Sequence, residues 1–146
     1  LLLDELEGII QFLQLLYPDR NIERQNIPLE PTLGTFVVRF LSDGKEVETA
    51  ARTVTSRGWD IVYFAHDTQD ALRVMDEFTA KVADARLMIP LPNSLSFLRS
   101  EGISFSKPFT NENDQDVIIG VLYTKTRTAI SQAHYEKVLK ASVVIK

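Results

Sequence analysis

RGWDIVYFAHDTQDALRVMDEFTAKVAD, residues 57–84, holds two hydrophobic periods back to back. In its first part Trp59, Ile61 and Tyr63 recur at every second position, the spacing of one face of a β-strand. After Ala65 the spacing lengthens. Ala71, Leu72, Met75, Phe78, Thr79 and Val82 then fall on one helical face, with Arg73, Asp76, Glu77, Lys81 and Asp84 mainly on the other. His66-Asp67-Thr68 marks the junction. Asp67 suits the N-cap, and Asp70 three residues later makes an acidic variant of the capping box. This stretch therefore predicts a strand over Trp59–Phe64 followed by a capped helix.

Upstream, Leu1–Leu16 reads as another helix. Leu2, Leu6, Ile9, Ile10, Leu13 and Leu16 share one stripe, and Leu3, Phe12 and Leu15 widen it. Asp4, Glu5 and Glu7 oppose the positive helix end, and Pro18 stops the helix. So wide a stripe predicts packing on a sheet, with part of the surface available to another chain. Tyr17–Leu33 is a connector broken by Pro18, Pro28 and Pro31, with a short extended piece expected at Asn26–Leu29. Phe36–Leu41 is a strand with Phe36, Val38 and Phe40 on one face and Val37, Arg39 and Leu41 on the other. About 17 residues separate it from Trp59, well beyond the usual two-to-five-residue hairpin loop. Asp43–Arg57 is therefore expected to be a projecting hairpin or a mobile loop.

Downstream, Arg86–Ile89 is a short apolar run cut by Pro90 and Pro92. Phe97–Arg99 and Ile103–Ser106 are two short strand candidates, and Thr110–Gln115 is a turn cluster. Asp116–Ile130 is a long strand, apolar on both faces at first and then alternating Thr with basic residues, as if leaving the core for water. Gly120 is the expected place for a bulge or bend. The segment 133–146 mixes helical and strand patterns and is left undecided. The order is helix, two strands, helix, then two to four strands. It predicts an α+β fold: a mostly antiparallel sheet carrying an N-terminal helix and one central helix, in a single domain over residues 1–146.

Composition narrows the chemistry. The 146 residues are 45% hydrophobic, too apolar for a disordered chain. No stretch approaches the roughly 18 apolar residues of a membrane span, and no membrane partner is expected. With no cysteine, disulfides, thiolate metal sites and a Cys nucleophile are excluded. Neither His66 nor His134 has a second histidine at metal-ligand spacing. Asp114 with Asp116, and Glu46 with Glu48, are carboxylate pairs better explained as solvated turns. The six glycines are scattered, so no phosphate cradle forms. Trp59, Tyr63 and Tyr123 invite a base-stacking reading, but strand aromatics belong to cores far more often. No catalytic residue, cofactor or metal is therefore expected, and the weight falls on binding or assembly. The formal net charge of -4 is uneven. Asp4, Glu5, Glu7, Asp19, Glu23 and Glu30 face only Arg20 and Arg24 in the first 30 residues. Lys125, Arg127, Lys137, Lys140 and Lys146 face only Glu136 at the other end. Such opposite ends can attract one another within a molecule or between copies.

The run Arg57–Ala65 followed by Asp67–Asp84 resembles the tail terminator and tail-completion proteins of long-tailed bacteriophages. The elements Leu1–Leu16, Phe36–Leu41, Trp59–Phe64, Asp67–Ala83 and Ile103–Ile130 follow that group's order. The resemblance implies a structural virion protein, not an enzyme, assembled in the host cytoplasm as a homo-oligomeric ring, commonly a hexamer. Such rings cap the head-proximal end of the tail tube and meet the head–tail connector protein. DNA is then only passing cargo, which suits an acidic chain. Carried over, Asp43–Arg57 projects toward a neighbour or the tail tube protein. The candidate contacts are Lys45, Glu46, Glu48 and Arg52 in that segment, with Lys125, Arg127, Lys137 and Lys140 at the basic end. The segment 133–146 goes beyond the family's usual end and is a candidate contact arm. Two other readings stay open. One is a small ferredoxin-like ligand-binding domain or enzyme, which a metabolite-induced thermal shift identifies. The other is a nucleic-acid module stacking bases on Trp59 and Tyr63.

Overall fold

The computed structural model describes residues 2–85, 88–92 and 97–129. In chain order the elements are α1 (Leu2–Leu16), β1 (Ile22–Arg24), β2 (Phe36–Thr49), β3 (Arg52–Ala65), α2 (Thr68–Asp84), β4 (Met88–Pro90), β5 (Phe97–Phe105), β6 (Phe109–Thr110) and β7 (Asp116–Ala129). The strands form one sheet in the order β1-β2-β3-β7-β5-β4, with β6 pairing the start of β7. Every pairing is antiparallel except β1 with β2. The fold is α+β.

Both helices contribute to the core on one face of the sheet. Leu6, Ile9, Ile10 and Leu13 of α1 and Ala71, Val74, Met75, Phe78 and Val82 of α2 bury against Phe36, Val38, Trp59, Ile61, Tyr63, Ile118 and Leu122. Each such side chain taken fully out of water contributes about 1.5–3 kcal/mol. The opposite face carries a smaller cluster of Val37, Val62, Phe64 and Val117. Two loops are tied together nearby: Asn113 Nδ2 donates to the Leu29 carbonyl at 3.0 Å, and Gln115 Nε2 to that of Pro31 at 2.5 Å.

The alternation read for Phe36–Leu41 and Trp59–Phe64 matches these two faces. Asp67 caps α2, accepting from the Asp70 N–H at 2.7 Å. The intervening polar stretch is a hairpin of two 14-residue strands rather than a loop. At about 3.3 Å per residue each strand runs roughly 46 Å, over twice the usual length.

Several expectations need correction. The extended piece of the connector is Ile22–Arg24, not Asn26–Leu29, because Ile22 is apolar enough to bury beside Phe36. The two short strands after Pro92 are one, β5. A register shift between Ser100 and Gly102 takes up Glu101 as a bulge, and Gly102 supplies a φ of +152°. Gly120 makes no bulge, since the β3–β7 register runs through it unbroken. Its missing side chain instead lets α2 approach: a Cβ there would lie 3.0 Å from the Met75 sulfur. On α2, Leu72 is exposed and Val74 takes its place in the core. The segment 133–146 lies outside the described residues.

Candidate functional site

Two polar clusters lie within the fold and would be the first places to look for chemistry. In one, the Tyr63 hydroxyl donates to Asp70 Oδ2 at 2.8 Å and accepts from the Arg20 guanidinium. Asp70 also accepts from the His66 backbone N–H at 3.1 Å and from Arg73 Nη2 at 2.6 Å. Burial pushes the Asp70 carboxyl up, but these hydrogen bonds and the Arg20 charge outweigh it and hold the carboxyl below its ordinary value. Burial, then the bond to Asp70, pushes the Tyr63 hydroxyl well up. Both carboxylate oxygens are engaged within the chain. The cluster ties the connector, β3 and α2 together. The sequence marked Asp70 as a capping residue; nothing in it singled out Arg20.

The second cluster joins α1 to β3. Glu5 is fully buried and paired with Arg57, itself 7% exposed. Thr126 Oγ1 donates to Glu5 Oε1 at 2.6 Å, and Asp43 Oδ2 lies 3.9 Å from Arg57 Nε. Burial pushes the Arg57 guanidinium down. The sequence offered Glu5 only as a helix-end carboxylate. Glu7 is also engaged internally, with both oxygens on Arg24 at 2.5 and 2.9 Å. Part of the acidic N-terminal region is thus paired within the chain.

Past the level of Glu5 the sheet continues as a three-stranded ribbon of β2, β3 and β7. Its described side chains from Lys45 to Thr49 are exposed, as is Arg52, and Thr53 and Val54 are half-buried. Val47 is 71% exposed and Tyr123 50%. On the sheet face away from the helices a groove of about 350 Å³ runs over Gly44, Ser56 and Gly58, walled by Tyr123, Lys125 and Glu101. Burial of a core explains neither the ribbon nor the groove.

The sequence-derived candidates fall mostly here. Lys45, Glu46 and Glu48 lie on β2, Arg52 on β3, and Lys125 and Arg127 on β7. Register brings them to one end of the sheet, with Lys45 opposite Thr55, which in turn faces Thr126. Lys137 and Lys140 lie outside the described residues. Trp59 and Tyr63 are fully buried, and Trp59 Nε1 donates to Thr124 Oγ1 at 3.1 Å. They therefore offer no stacking platform. His66 is exposed at the α2 junction, and His134 lies outside the described residues. Among the described residues no group of three or more His, Asp or Glu side chains is placed to hold a metal ion. No described helix is long and apolar enough to cross a membrane.

No protein-family model and no curated protein matches the chain. Among solved structures, one protein whose name describes no activity aligns with 84% of this chain and 91% of its own. The identity is 13% and the TM-score 0.47.

Proposed function

We propose that this chain is a structural virion protein of the tail-terminator kind. In this reading copies form a ring, a hexamer by resemblance, that caps the head-proximal end of a phage tail tube and meets the head connector. The observation that carries the reading is the bare ribbon. Three strands extend beyond the helices and bury little within the chain, which suits an element completed by neighbours. A ring built from one kind of subunit needs two different complementary patches on each copy. The ribbon offers acidic β2 and basic β7 on its two sides. Asp70 has both carboxylate oxygens engaged within the chain, and Glu5 is paired with Arg57, which favours assembly over catalysis.

The test is the native mass of the chain alone and mixed with its tail tube protein, with electron microscopy of the particles. A closed ring in either sample is the expected result. A monomer in both, with tubes left uncapped, overturns the reading.

A further inference from the structure

We infer that copies of this chain join sheet edge to sheet edge, with β2 over Lys45–Thr49 of one copy parallel to β7 over Thr126–Ala129 of the next. This rests on the ring reading and specifies its interface. On its outer side β2 is paired by β1 only from Phe36 to Val38. Gln25 then turns away with a φ of 63°, and its Oε1 accepts the Phe40 N–H at 2.6 Å. From Leu41 onward no described strand adjoins that side.

The open backbone groups can be assigned. Phe36 N donates outward to the Asn21 carbonyl, and the Val38 carbonyl accepts from Gln25 N. The register shift at Leu41 moves this alternation by one residue. Asp43, Lys45 and Val47 therefore turn their N–H and C=O groups to the open edge. On the far side of the ribbon, the register between β5 and β7 ends at Arg99 with Lys125, four residues before β7 itself ends.

The two edges lie level. Lys45 faces Thr55, which faces Thr126; Thr49 faces Arg52, which faces Ala129. β2 and β7 also run in the same direction, since each is antiparallel to β3. Rotation about an axis along the strands preserves both height and direction, so it brings one copy's β7 end beside the next copy's β2. That is a heterologous contact of the kind that closes into rings. Charge selects the same pairing. The β2 segment carries Glu46 and Glu48 against Lys45, whereas the β7 end carries Lys125 and Arg127. Two β2 edges together would set like charges side by side, a standard protection against self-pairing.

The cysteine-free chain allows a direct test. Val47 and Thr128 are level, both facing Thr53. Val47→Cys and Thr128→Cys are made as single variants and as a double variant, each checked for unchanged melting, and mildly oxidised with and without tube protein. The expected result is a disulfide dimer when the two single variants are mixed, little in either alone, and a ladder up to the closed ring from the double variant. A dimer from Val47→Cys alone means that β2 pairs with β2 and overturns the inference. Rings by microscopy without the mixed disulfide overturn the edge pairing and leave the ring reading intact. Monomers in every sample overturn both. Val47→Pro, which removes an outward N–H and leaves the β2–β3 bonds in place, is expected to lower assembly at least tenfold; unchanged assembly at unchanged melting likewise overturns the pairing.

Discussion

β3 passes through two environments in 14 residues. From Trp59 to Ala65 all but Asp60 are buried, with Trp59, Ile61 and Tyr63 under the helices. From Arg52 to Ser56 only Thr55 is buried. The first half is held by apolar burial, the second by its ladder of strand hydrogen bonds. A hairpin with nothing packed on it is marginal in water, so a strand end this long gains little for folding. Its length fits the proposed use of the ribbon between copies.

The Glu5–Arg57 pair sits at the boundary between these halves, and breaking it has the largest expected effect. Glu5→Ala leaves a buried guanidinium without its partner, which costs about 3–5 kcal/mol. Chemical denaturation followed by circular dichroism reads this directly. Replacing both residues with Met should recover most of the loss, because a buried ion pair contributes little beyond a well-packed apolar pair. If the single substitution costs under 1 kcal/mol, the boundary is not pinned by this pair.

Within the helix-covered half, Asp70→Asn weakens bonds made to a charged group, at about 1.5–3 kcal/mol. The sign of its pH dependence follows from the carboxyl being held below its ordinary value of 3.8. The folded state then binds the proton less readily than the unfolded chain. The carboxylate's contribution is present above that ordinary value and is lost as pH falls through its folded value. Paired melting curves should show the gap between wild type and Asp70→Asn narrowing only in that acid range. A gap independent of pH would assign the loss to packing instead.

The buried half was legible in the sequence because burial imposes periodicity. Trp59, Ile61 and Tyr63 at every second position, and Met75, Phe78 and Val82 at helical spacing, can face a core only in one way. Asp67 announced the start of α2 through its own local chemistry. Long-range polar pairing leaves no such trace. Glu5 and Thr126 are 121 residues apart, and nothing at either position announces the other. The ribbon was legible only as an oddity of length: Lys45–Thr55 lacks a strong alternation because little of it is covered, Thr55 being its one buried described side chain. Phe97–Phe105 misled for a related reason, since a glycine and a bulge in an edge-proximal strand look like a loop.

The smallest effect on folding and the clearest on assembly are expected at the ribbon's end. Val47 is largely exposed and its backbone faces the open edge of β2. Val47→Lys removes little buried area, so stability should stay within about 0.5 kcal/mol of wild type. Lysine on a strand edge discourages pairing with the approaching copy. Sedimentation against concentration should show assembly weakened at least tenfold while the melting curve of the monomer is unchanged. Melting and assembly falling together would mean that the ribbon is part of the folding unit, and the contrast between the two halves of β3 would be lost.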